Sequence, residues 1–117
     1  MPSYIALIYN ADVDWSAAEH SETMAEYGEF GRAAAAVIRG GAALYPTSTA
    51  TTVRVHGGKG GDVVTTDGPY AEAKESLIGF WILDVASEER ITEIATSIAK
   101  YSRVVEVRPV AEAPPEV

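Results

Sequence analysis

The chain contains no cysteine, which excludes a disulfide scaffold and any thiolate zinc site. Its two histidines, His20 and His56, stand far apart. No histidine metal motif exists, and no cofactor is expected. No apolar run approaches the ~20 residues of a membrane helix. The N-terminus, Met1-Pro2-Ser3-Tyr4, lacks the basic region of a signal peptide. The reading is a cytoplasmic protein without a membrane partner. Positive charge is scarce: nine Lys and Arg stand against 17 Asp and Glu, a net charge of −8. Phosphates would be repelled, which argues against a nucleic-acid partner. No serine stands in a nucleophile-elbow pattern. Gly57-Gly58-Lys59-Gly60-Gly61 lacks the hydroxyl residue that follows lysine in a phosphate loop; it reads as a flexible hairpin turn.

What is present is enough apolar residue for a modest core in a chain of 117 residues. Residues 1–110 read as a single domain, and the proline- and acid-rich residues 111–117 as a flexible tail. Tyr4 to Tyr9 reads as a strand with both faces apolar. A helix is expected from Ser16 as N-cap, with Glu19 at capping-box spacing. Its stripe is Met24, Tyr27, Phe30, Ala34, Val37 and Ile38, and Gly40-Gly41 ends it. Gly28 and Gly31 inside it imply either close helix–sheet contact or room for a ligand. A second strand begins at Ala42 to Leu44, bends at Tyr45-Pro46 and continues over Thr51 to Val55. Asp62 to Thr66 returns as a short strand. Leu77 to Val85 is the strongest strand, again apolar on both faces. Gly79, Trp81, Leu83 and Val85 share one face with Leu77; Ile78, Phe80 and Ile82 take the other. A second helix runs from Ser87 to Lys100 on the stripe Ile91, Ile94, Ala95 and Ile98. Val104 to Arg108 closes the chain's regular structure.

The order is βαβ followed by βαβ, with a hairpin inserted. Two helices can cover only one face of such a sheet. An antiparallel sheet with one wet face alternates apolar and polar residues, yet the two strongest strands do not. A second copy of the chain is the simplest cover. Burying four or five large side chains contributes roughly 1.5–3 kcal/mol each, before association costs. A homodimer packed sheet to sheet is therefore expected.

Functional groups concentrate in Asp67-Gly68-Pro69-Tyr70-Ala71-Glu72-Ala73-Lys74-Glu75. Asp67-Gly68-Pro69 forms a turn, since Gly68 tolerates positive φ and Pro69 has no N–H. Asp67, Glu72 and Glu75 offer acid–base groups. Lys74 could stabilise a developing oxyanion, and Tyr70 could donate a hydrogen bond. The simpler alternative is a structural clasp, with Asp67 in a side-chain turn and Lys74 paired to Glu72 or Glu75. Tyr9, Tyr27, Tyr70, Trp81 and Arg54 are the residues expected to line a pocket beside this loop, with Glu72; core packing explains the aromatics equally well. Arg54 could clamp a carboxylate. His20 shares a stripe with Met24 and Tyr27, either as a general base or as a packed residue.

The nonapeptide closely resembles the DGPF-A-E-T-K-E signature of the DGPF, or YCII-related, family of small bacterial proteins. Residues 46–55 (PTSTATTVRV), Val105-Glu106-Val107-Arg108-Pro109-Val110 and Tyr27-Gly28-Glu29-Phe30 extend the resemblance over about residues 4 to 110. It implies a ferredoxin-like α+β domain, an antiparallel βαββαβ-type sheet with two helices on one face, pairing into a dimeric α+β barrel. The family's activity is mostly unassigned, and some members accompany extracytoplasmic-function sigma factors. Here Tyr70 stands where Phe is usual and Ala73 where Thr is usual, so no role of that threonine carries over.

Two readings follow. In the first, the signature loop and the sheet form a pocket for a small organic acid. Asp67 is then base or orienting group, with Lys74 as anchor and Glu75 beside them, in proton abstraction, elimination or isomerisation. In the second, the chain is a non-catalytic regulatory module whose acidic surface suits a basic protein partner such as a sigma factor.

Overall fold

The computed structural model describes residues 2–17, 19, 21–71, 74–100 and 102–111. In chain order the elements are β1 (Ser3–Asn10), α1 (Ser21–Ala33), β2 (Ile38–Ala43), β3 (Thr51–Val55), β4 (Val63–Asp67), β5 (Ser76–Asp84), α2 (Glu88–Ala99) and β6 (Val104–Pro109). A four-stranded sheet runs β2-β5-β1-β6 with every neighbour antiparallel. With two helices on one face this is a ferredoxin-like α+β arrangement. The central strands, β1 and β5, are the two whose residues are apolar on both sides. Among the described residues no helix is long and apolar enough to cross a membrane.

One face of the sheet carries the core. Tyr4, Ala6 and Ile8 of β1 are buried with Leu83 of β5 and Tyr27 of α1. Helix α2 covers this face with Ile91, Ile94 and Ile98, all buried. Ser87 starts α2 as expected: its hydroxyl accepts from the Arg90 N–H at 3.1 Å, and Glu88 and Glu89 occupy the positive first turn.

Helix α1 is shorter than its apolar pattern suggests. Ser16 does not cap it, because Asp14 accepts from the Ser16 backbone at 3.0 Å and from its hydroxyl at 2.6 Å. A hydroxyl engaged in a local turn leaves the helix to begin later. At the other end, the Val37 carbonyl accepts from Asp84 N at 2.8 Å, so a strand pairing replaces the next helical turn. Of the expected stripe, Ala34, Val37 and Ile38 therefore lie outside the helix. Gly40 and Gly41 lie within β2, opposite Ile82 and Trp81, rather than at a helix end.

Two further expectations are corrected. Thr51–Val55 does not continue β2; it pairs with β4 in a separate two-stranded sheet. The break is a 3₁₀ turn at Thr47–Thr49 after Pro46. Asp12 pins it by accepting from Thr47 N at 3.0 Å. Ile78 faces the core, because the β1–β5 register jumps from Ile8↔Gly79 to Tyr9↔Leu77 and leaves Ile78 as the extra residue.

Among the described residues no helix lies on the opposite face of the sheet. Across it run Ala42, Phe80, Leu7 and Glu106 in one row and Gly40, Ile82, Ile5 and Arg108 in the next. Ile5, Leu7, Phe80 and Ile82 are all only half-buried. The β3–β4 hairpin is also bare: Val53, Val55 and Val63 share one of its faces at 59%, 46% and 64% exposure. The radius of gyration is 16.5 Å, above the roughly 13 Å of a compact chain of this length.

Asp84 sits at one end of the bare face. It accepts from the Ser3 hydroxyl and pairs with Arg39 at 2.9 Å. The Ser3 hydrogen bond, with the Arg39 charge, holds its carboxyl below the usual carboxylate range. A lowered folded-state value stabilises above the unfolded value of about 4 and is lost as pH falls through the folded one. Asp84→Asn is expected to lower the urea midpoint at pH 7, and the two proteins are expected to converge in progressively acid buffers.

Candidate functional site

A cavity of about 320 Å³ opens between α1 and the sheet. Its roof is Tyr27 and Gly28 of α1, one turn beyond Met24. Its floor is the Ile78–Trp81 stretch of β5, flanked by Ile8 of β1 and by Gly41 to Ala43 of the edge strand β2. Trp15, from the loop after β1, closes one side. Its indole N–H donates to the Ile78 carbonyl at 3.2 Å, and its ring meets Tyr27 edge-on, with centroids 5.7 Å apart. Deeper under α1, Phe30 packs on Trp81 at 5.5 Å between centroids.

Glycines set the width of this space. A Cβ on Gly41 would lie 2.7 Å from Trp81 Cε3 and 2.6 Å from the Phe80 carbonyl oxygen. One on Gly31 would lie 3.3 Å from the Trp81 ring. Gly31 is therefore the close helix–sheet contact, whereas Gly28 borders the cavity. The two readings of these glycines divide between them.

The cavity lining carries no charged side chain among the described residues. Tyr27 is buried, and burial is the main reason its phenol titrates above the ordinary value. It stays protonated across the physiological range. Among the described residues no three His, Asp or Glu side chains cluster as metal ligands would.

The residues singled out in the sequence fall in three places. Tyr27 and Trp81 line the cavity. Tyr9 lies on the bare sheet face, where its hydroxyl donates to Glu106 at 3.3 Å; partial burial and the Glu106 charge raise its pKa. Arg54, Asp67 and Tyr70 belong to the hairpin and the turn after it. Asp67 ends β4 opposite Thr51. Gly68 follows with φ +98°, the left-handed region that glycine tolerates. It is clasped to β3, its N–H donating to the Ala50 carbonyl and its carbonyl accepting from the Thr52 hydroxyl, both at 2.7 Å. Arg54 donates to the Tyr70 carbonyl at 3.1 Å and lies 5.0 Å from the centre of its ring. Asp67, Tyr70 and Lys74 are exposed and Glu75 half-buried. None of these four borders the cavity. Lys74 and Glu75 lead directly into β5, four and three residues before Ile78 of the cavity floor. Glu72 and His20 lie outside the described residues.

Sequence reasoning did not single out Trp15 or Gly41. A tryptophan in a short polar loop is a usable signal, since so large an apolar surface needs a packing partner. Gly41 gave no such signal, because its Gly-Gly pair reads equally well as a helix end.

The YCII-related domain matches residues 4–114. An uncharacterized protein of Rhizobium meliloti (strain 1021) is 38% identical over 73 residues, 60% of this chain and 56% of that protein. The chain thus spans little more than half the length of this curated relative.

Proposed function

The chain belongs to the YCII-related domain family, and from its cavity and its bare apolar sheet we propose that it works as a homodimer binding a small organic ligand. The ligand would lie between α1 and the sheet. The sheets of two copies would meet through Ile5, Leu7, Phe80 and Ile82, with Glu106 and Arg108 as a polar rim. The cavity is the observation that carries this reading. It is concave, largely apolar and preformed, as small-molecule sites usually are. The signature turn enters β5 at the cavity's end of the sheet, so Lys74 and Glu75 would stand near its mouth. Acid–base chemistry by Asp67, Lys74 and Glu75 would require that segment to close over a bound ligand.

The chain's two tryptophans, Trp15 and Trp81, both border the cavity. Intrinsic fluorescence therefore reports on this one place. Titration with a panel of small aromatic and aliphatic compounds is expected to shift or quench the emission saturably. A panel that leaves the emission unchanged would count against a ligand site.

A second reading rests on the exposure of Asp67, Tyr70 and Lys74. Exposed and clasped to a bare hairpin, the signature would suit docking to a protein such as a sigma factor. Under that reading Tyr70→Ala with Lys74→Ala abolishes partner capture and leaves the fluorescence titration untouched.

A further inference from the structure

The cavity's own chemistry narrows what it can take. This step rests on the ligand-binding reading above and deepens it. Three features of the wall act together. The first is charge: no described lining residue carries any, so a carboxylate entering it would lose its water without gaining a counter-ion. The second is shape. Gly41 and Gly79 present bare backbone where the sheet floors the cavity, and a Cβ on Gly79 would lie 2.8 Å from the Ala42 carbonyl oxygen. Bare floor on one side and helix on the other leave a slot. The third is the aromatic frame. Trp15 and Tyr27 stand at 80° to each other, and the Trp81 ring is held by Phe30. Ring faces and edges set this way favour stacked and edge-on contact with another ring.

Size sets the scale. At about 320 Å³ the space is roughly twice an apolar cavity of ~150 Å³ that accepts one benzene. We infer that the cavity between α1 and the sheet is a binding site for an uncharged, flat, two-ring aromatic compound, and that it selects against the carboxylate of the same ring system. An organic acid, the ligand class suggested by Arg54 and Lys74 in the sequence, has no cationic partner on the described wall.

The test compares 2-naphthol with 2-naphthoate by titration calorimetry at pH 7 on the full chain. The expected result is at least tenfold tighter binding of the naphthol. Ala43→Leu supplies the control. Ala43 borders the cavity from the edge strand and is exposed, so a larger side chain there fills space without crowding the core. This variant is expected to keep its unfolding temperature within a few degrees and to bind the naphthol at least tenfold more weakly. Equal or tighter binding of the naphthoate would overturn the proposed selectivity while leaving a ligand site intact. Naphthol binding that Ala43→Leu does not weaken would place the compound elsewhere and overturn the assignment. Binding of neither compound, with no response to the wider fluorescence panel, would remove the ligand-binding reading itself.

Discussion

Gly41→Ala is expected to destabilise the fold by about 2–3 kcal/mol, a fall of roughly 8–15 °C in thermal midpoint for a chain of this size. The added carbon would meet the Phe80 carbonyl oxygen at 2.6 Å and Trp81 Cε3 at 2.7 Å. Backbone oxygen cannot rotate away, so β2 must shift along β5 or the Trp81 ring must leave its place. Because Trp81 borders the cavity, the near-ultraviolet dichroism of the variant should change along with its midpoint. A glycine in the left-handed conformation at a helix end would give a smaller loss, of about 1–2 kcal/mol, with no aromatic signal. Thermal unfolding followed at both far- and near-ultraviolet wavelengths separates the two.

Leu7→Lys is expected to split the proposed homodimer into single chains. Leu7 sits in the middle of the bare face, beside Phe80 on β5 and Glu106 on β6. In one subunit a lysine there reaches water and pairs with Glu106, so the fold should persist with unchanged far-ultraviolet dichroism. Between two sheets the same ammonium would be stripped of water. A penalty of several kcal/mol per buried ion raises the dissociation constant by a hundredfold or more. Sedimentation velocity over a concentration series measures that shift. A sedimentation coefficient unchanged from that of the parent protein would mean that the sheets do not meet through this face.

The central place of β1 and β5 was legible because its cause is local. Each carries apolar residues on both sides, as a strand flanked by neighbours at the middle of a sheet does. Helix α2 was legible for the same reason: Ser87, Glu88 and Glu89 mark its start, and Ile91, Ile94 and Ile98 mark its buried side. Errors arose where a single hydrogen bond, one local and one long-range, decided between two readings of the same residues. Asp14 takes the Ser16 hydroxyl away from a helix start, and Asp84 takes the Val37 carbonyl away from a helix end. The bulge at Ile78 has no local signature, yet it moves a large side chain from the bare face to the core.

The candidate site was legible in part. Tyr27 and Trp81 were recognisable as wall residues from helix and strand periodicity. Their companions were not, because the cavity depends on how far α1 stands from the sheet. That distance is set where Gly31 meets the Trp81 ring, and by Trp15 held on the Ile78 carbonyl. The signature drew attention to Asp67, Tyr70 and Lys74 through residue chemistry alone. Chemistry cannot say which surface a turn will face, and here the turn is fastened to β3 by Ala50 and Thr52.

The proposed pairing of two chains depends on the half-exposed Ile5, Leu7, Phe80 and Ile82 finding cover. Light scattering of the unsubstituted chain at micromolar concentration measures this most directly. The expected mass is twice the 12.4 kDa of one chain. A single-chain mass that persists up to hundreds of micromolar would contradict it, and would leave this apolar sheet face in water.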